Sequence, residues 1–153
     1  MSSKSERYQR VREQLKELFF APSDPISKMA TAASLLHNKF KYFSWTGFYR
    51  LVDGELIVGP YQGAIACIIL KKHTGVCWAA IDGKKSLLVP DVHKFPGHIA
   101  CDSRSQSEVV IPVKNKDGAI VAVLDVDSTE LNSFDEEDEK GLTEIADLIY
   151  NFY

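Results

Sequence analysis

Two periodicities divide the chain. Over 3–20, Tyr8, Val11, Leu15, Leu18 and Phe19 recur at helical spacing with charges between them, which predicts an amphipathic helix. The stretch 21–25 breaks it. A second helix is predicted over about 25–39, with Met29, Ala32, Ala33, Leu36 and Phe40 as its apolar stripe. Asp24 can cap it, and Pro25 suits its first position. From Phe43 the pattern changes. The segment 44–52 (SWTGFYRLV) is aromatic and β-branched, Asp53-Gly54 reads as a hairpin turn, and 55–61 (ELIVGPY) as the return strand. The continuous apolar run 64–70 (AIACIIL) predicts a strand buried on both faces. A loop passing into a short helix follows over 71–82, then a short strand over 86–89. A second hairpin is predicted from 108–115 and 118–128 around Lys116-Asp117-Gly118. The last segment, 134–152, reads as one helix with Phe134, Leu142, Ile145, Ile149 and Phe152 on one face. Asp135, Glu136 and Glu137 fall in its first turn, where the helix dipole favours negative charge.

This order predicts an α+β domain. Hairpins imply a central, mainly antiparallel sheet. The helices at the two ends cover one face, and the irregular middle of the chain builds a ligand pocket on the other. With 153 residues we expect a single domain over 1–153. Its parts are helical over 1–40, sheet and active-site loops over 41–130, and the C-terminal helix over 134–152.

Composition narrows the function classes. Hydrophobic residues make up 45% and charged residues 25%, as in an ordinary globular protein. The net charge of -3 without clustered Lys and Arg excludes a nucleic-acid or anionic-membrane surface. No apolar run reaches a membrane span, and the start MSSKSERYQR lacks a signal-peptide core, so a cytoplasmic protein is expected. The three cysteines, Cys67, Cys77 and Cys101, form no CxxC pair and no zinc-like spacing with histidine. Neither a metal nor a disulfide framework is expected. Inert buried thiols or thiol chemistry remain.

Candidate chemistry centres on 90–108 (PDVHKFPGHIACDSRSQSE), a polar, turn-rich loop between strands. A loop of this length in a small domain usually has a function. Cys101 sits on it, near His98, Lys94 and Arg104, whose charge would favour a thiolate, and beside Asp102, which would oppose one. The alternative is a small residue filling a gap. Cys67 reads as a buried strand cysteine. Cys77 falls at the start of a short helix, where the dipole favours a thiolate. Asp125 and Asp127 alternate on a strand and so share a face. If the second hairpin pairs as predicted, Glu108 lies beside one of them. Three acids then converge, suited to a cationic amine or to holding a proton at raised pKa for acid catalysis. The alternative is that the two aspartates only border a loop. Trp45 and Tyr49 share a face of the first strand, as core packing or as a ligand wall. His93 and His98 are either acid–base groups or plain loop hydrogen-bonders.

These residues resemble a known family. SWTGFY, GPYQGAIAC, GVC, VPDVHKFPGHIACDSRSQSE, VLDVDS and FDEED occur in order over about 43–140, as in the GAF-domain free methionine-(R)-sulfoxide reductases. The resemblance implies a GAF fold, often dimeric. It implies thiol-dependent reduction of free, not peptide-bound, L-methionine-(R)-sulfoxide to methionine. Cys101 resembles the catalytic cysteine, and Cys67 and Cys77 the two further redox cysteines, one or both of which resolve. Trp45 and Tyr49 match the wall around the substrate's methyl end. Glu108, Asp125 and Asp127 match the acids that bind substrate and assist at the sulfoxide. The implied cycle runs through a Cys101 sulfenic acid and an intramolecular disulfide, reduced by thioredoxin or another dithiol, with no bound cofactor and no metal. The competing expectation is a non-catalytic GAF sensor that binds a small molecule. One departure stands out. The family's FGxGVCG, with a basic residue between its first glycines, is here KHTGVCWA, with His73, Thr74 and Trp78 substituted. The loop around Cys77 is therefore expected to be rebuilt, which favours Cys67 as the resolving cysteine.

Overall fold

The structure is a computed structural model that describes residues 3–19, 24–98 and 101–151. The expectations for Phe20, for the break at 21–23, for positions 99–100 of the long loop and for Phe152 lie outside the described residues. In chain order the elements are α1 (Lys4–Leu18), α2 (Pro25–Lys39), β1 (Trp45–Val52), β2 (Glu55–Gln62), β3 (Ile69–Leu70), α3 (Gly75–Gly83) and β4 (Leu87–Val89). A single 3-10 turn (Val92–Lys94) precedes β5 (Ser107–Lys114), β6 (Ile120–Ser128), α4 (Glu136–Ala146) and α5 (Leu148–Asn151). Among the described residues, no helix is long and apolar enough to cross a membrane.

The helix ends follow their side chains. Ser3 accepts the Glu6 N–H and opens α1. Asp24 accepts the N–H groups of Ile26 and Ser27, and Pro25 fills the first position of α2. Asp135 and Asp138 form a reciprocal capping box at α4, each taking a backbone N–H that the helix leaves unpaired. Asp138 also fastens the two chain ends together. Fully buried, it accepts hydrogen bonds from Tyr8 Oη (2.7 Å), Tyr42 Oη (2.5 Å) and Lys4 Nζ (2.7 Å).

The sheet has six antiparallel strands in the order β3-β2-β1-β6-β5-β4. Asp53 and Gly54 turn β1 into β2 with φ of 51° and 80°, the left-handed pair that a two-residue hairpin needs. Strand alternation separates two apolar layers. Phe48, Ile111, Leu124 and Val126 pack under α1, α2 and α4. Trp45, Tyr49, Val110 and Val123 face the other way, against Val76 and Trp78 of α3 and Val92 of the long loop. The expected α+β architecture, with helices from the chain ends on one face and loops on the other, is the one observed.

Two expected elements differ. The run 64–70 is not a strand buried on both faces. Only Ile69 and Leu70 pair, with Ile57 and Leu56, at the sheet edge, while Ile65 and Ile68 are 86% and 66% exposed. Its first part is drawn elsewhere, the Ala64 carbonyl accepting Trp45 Nε1–H at 3.0 Å, and it rejoins the β2 edge only at Ile68, whose carbonyl accepts the Val58 N–H at 2.8 Å. Apolar content marked this stretch as core, yet it arches out of the sheet beside the pocket. The second difference is in the last helix, which starts at Glu136 and is divided at Asp147 into α4 and α5. Thr143 Oγ1 donates to the Glu139 carbonyl at 2.6 Å, a back-bond that bends helices. Leu148 and Ile149 beyond the division enter the helical core.

Candidate active site

The pocket floor is set by strand register. On β6, Asp125 and Asp127 point to the same face. Asp127 is opposite Glu108 of β5 on one side and Trp45 of β1 on the other, and Asp125 is opposite Val110 and Gly47. Glu108, Asp125 and Asp127 thus meet at the open side of the sheet, with Trp45 and Tyr49 beside them. Glu108 and Asp125 are each only 5% exposed. The wall is a three-ring stack, with Trp45 centred 5.7 Å from Tyr49 and 5.2 Å from Tyr61. Gly47 makes this possible, since a Cβ there would lie 2.3 Å from Tyr61 Cβ and 2.7 Å from Trp45 Cη2.

Three segments close over the floor. The arch 63–68 brings Ile65 and Ala66, with Cys67 next to them bonded to Cys101. The loop after β4 brings His98, Cys101, Asp102 and Ser105. This loop is pinched at its base, where the Val92 N–H donates to Gln106 O (2.9 Å) and the Gln106 N–H to Ser128 O (2.8 Å). The third segment is the start of α3, with Thr74, Gly75, Val76 and Cys77. Thr74 makes no side-chain cap, so the first N–H groups of α3 are left without one beside the pocket.

The three cysteines fall into two states. Cys67 and Cys101 are joined by a disulfide, with Cα atoms 5.6 Å apart and a sequence separation of 34. Cys67 is therefore not a buried strand cysteine; it sits half-buried on the arch, facing the long loop. Cys77 is free and buried. Its place in the first turn of α3 does not make it a thiolate. Burial pushes its pKa well up, and the negative charge of Asp125, Glu108 and Asp127 adds to this. Desolvation and three like-signed neighbours outweigh the helix dipole here.

The same physics acts on the acids. Burial, then the charges of Asp125 and Asp127, hold Glu108 well above the usual carboxylate range. Burial and the Asp125 charge raise Asp127 well up. Burial also raises Asp125, but hydrogen bonds from Glu108 and Cys77 work the other way. Glu108, Asp127 and Cys77 are thus all pushed strongly toward their protonated forms, and Asp125 less far. The alternative in which the aspartates only border a loop does not hold.

The cations near Cys101 in sequence are mostly elsewhere. Arg104 is turned onto Asp102 through two contacts of 3.1 and 2.9 Å, and this pairing lowers the Asp102 pKa. Lys94 is exposed, and His93 Nδ1 lies 3.3 Å from Asp91. His98 alone of these lines the pocket. Its Nε2 is buried without a hydrogen-bond partner, and burial lowers its pKa, so the imidazole is neutral. Of the substituted residues near Cys77, Thr74 is the N-cap of α3 and His73 precedes it. His73 takes a left-handed φ of 58°, its Nδ1 lies 2.9 Å from Asp82, and its ring packs on Trp78 at 4.9 Å. Trp78 itself continues α3 as regular helix. His73 and Trp78 therefore support one another, and α3 brings Cys77 to the pocket.

Tyr61, Gly47, Lys71 and Ser105 also shape the site and were not singled out from sequence. For Gly47 a signal existed, a glycine between aromatics in a strand, which marks close approach of another group. Lys71 carried no signal, being one of many surface lysines.

The GAF-domain family model matches residues 29–151. The chain is 49% identical to GAF domain-containing protein A of Dictyostelium discoideum, over 97% of this chain and 94% of that one. It is 39% identical to the free methionine-R-sulfoxide reductase of Escherichia coli, over 94% and 87% of the two chains. The free methionine-R-sulfoxide reductase of Neisseria meningitidis, solved with its substrate, superposes with a TM-score of 0.91 at 36% identity, over 97% and 89%.

Proposed function

The chain belongs to the GAF-domain family and, within it, to the free methionine-R-sulfoxide reductases, and on that premise we propose that it reduces free L-methionine-(R)-sulfoxide to L-methionine at this pocket. One observation carries the reading: Cys101, paired in a disulfide with Cys67, lines the same pocket as a buried acid cluster and an aromatic wall.

The proposed chemistry uses each group once. With the pair reduced, the Cys101 thiolate attacks the sulfoxide sulfur. Glu108, held protonated by burial, donates to the sulfoxide oxygen, and Asp125 accepts and stabilises the hydrogen bonds of the cluster. The oxygen leaves on Cys101 as a sulfenic acid, and the substrate sulfur, two electrons richer, leaves as methionine. The Cys67 thiol then condenses with the sulfenic acid, water is lost, and the observed disulfide results. A thioredoxin-like dithiol returns both thiols by exchange and is itself oxidised. No bound cofactor enters this scheme. Cys77, held protonated, is not the resolving thiol in it.

The wall of Trp45 and Tyr49 receives the methyl end. The charge left on Asp125, with Asp127 beside it as a hydrogen-bonding partner, pairs with the substrate's ammonium group, which peptide-bound methionine lacks. A homodimer, on the strength of the resemblance alone, completes the proposal.

The test is turnover of the separate R and S sulfoxide epimers, each free and N-acetylated, with thioredoxin, thioredoxin reductase and NADPH. The free R epimer alone should be consumed. A protein that does not turn it over but is thermally stabilised by it would be a binding module instead.

A further inference from the structure

We infer that Cys77, Glu108 and Asp125 form a site for a thiophilic divalent cation of the Zn2+ type, which occupies the acid cluster from inside the pocket. The three come from distant points of the sequence, so no ligand spacing announces them. Cys77 is in the first turn of α3, Glu108 opens β5, and Asp125 is on β6, next to β5 in the sheet. The Cys77 sulfur and one carboxylate oxygen from each acid all lie within 4.8 Å of one another. Bonds of about 2.0–2.3 Å to zinc separate tetrahedral ligands by roughly 3.3–3.6 Å. Side-chain rotation then has about an ångström to close.

A second observation points to a ligand here. Asp125 is 5% exposed, and its Oδ1 is buried with no hydrogen-bond partner while the residue lines the pocket. Such an acceptor is costly to leave unmade. The charge balance points the same way. Three carboxyl groups and a thiol share one poorly solvated pocket, and like charges so close cannot all ionise. A dication in place of the protons neutralises two of them.

Ligand chemistry selects the ion. One sulfur and two oxygens suit a borderline cation such as Zn2+ or Co2+, whereas Mg2+ and Ca2+ require oxygen alone. Three protein ligands leave a fourth position open toward the pocket. Cys77 is outside the disulfide, so the site persists when Cys67 and Cys101 are oxidised. If the reductase reading holds, on which this consequence alone rests, the bound cation withholds Glu108 from the sulfoxide and inhibits turnover reversibly.

Co2+ titration of the oxidised full-length protein tests the site without an activity assay. In that state Cys77 is the sole thiol, so a sulfur-to-cobalt charge-transfer band identifies it directly. We expect one Co2+ per chain with this band, bleached by Zn2+ and untouched by Mg2+ or Ca2+. Asp125→Asn should weaken binding more than about tenfold, beyond what loss of a mere outer partner costs at the least. Absence of the band in the oxidised wild type overturns the proposal, even if Co2+ binds through carboxylates. So does a band that Asp125→Asn and Glu108→Gln leave unaltered.

Discussion

Glu108 and Asp127 face one another directly across β5 and β6, on the side of the sheet that forms the pocket floor. Asp125 shares that side two residues away. Three carboxyl groups are thereby fixed by backbone register before any side-chain preference acts. Their arrangement is as stable as the hairpin that holds them.

A pH dependence follows. Burial, then the charges of Asp125 and Asp127, raise the Glu108 pKa well above its ordinary value of 4.5. The native state therefore keeps a proton that the unfolded chain has released. Protonated Glu108 contributes its full stability below the ordinary value. That stability is lost as pH rises from there through the raised value, because the native state binds more protons over that window. Glu108→Gln removes this loss. Thermal melts at about pH 5 and about pH 8 should show the variant losing less stability than the wild type across the interval. Equal losses would show that Glu108 is not held protonated.

The disulfide predicts a second pair of results. It links residues 34 apart, and closing a loop of that size restricts the unfolded chain by on the order of 3–4 kcal/mol. Reduction should lower the denaturation midpoint accordingly. After one turnover without reductant, Cys67→Ser should carry a dimedone-trappable sulfenic acid on Cys101, detected by mass, where the wild type carries the disulfide. A Cys77–Cys101 disulfide with no trapped adduct would identify Cys77 as the resolving thiol.

Gly47→Ala probes the aromatic wall. The new methyl meets Tyr61 Cβ at 2.3 Å and Trp45 Cη2 at 2.7 Å. Overpacking of this kind costs about 1–3 kcal/mol. The urea midpoint should fall, and KM for the sulfoxide should rise as Trp45 is displaced. An unchanged midpoint and KM would mean that the stack is loose enough to yield.

Much of this was legible in sequence for definite reasons. Period-two alternation placed Asp125 and Asp127 together, and the Lys116-Asp117-Gly118 turn fixed the pairing that adds Glu108. Capping chemistry marked α2 at Asp24-Pro25. What failed were inferences from local composition. The run around Cys67 is as apolar as a core strand, yet only its end pairs at the sheet edge, and the Trp45 side chain takes the Ala64 carbonyl instead of a strand partner. Cys77 sits where a helix dipole would ionise it, but the acids that oppose this arrive from strands 30 and more residues later. His73 and Trp78 looked disruptive singly, and only their contact explains how both are accommodated.

The most direct measurement is methionine formation from free methionine-(R)-sulfoxide by Cys101→Ser beside the wild type, with dithiothreitol as reductant and both proteins shown to be folded. The account predicts sustained methionine release by the wild type and none above background by Cys101→Ser. Substantial turnover by Cys101→Ser would contradict it, because the attacking thiol would then lie elsewhere.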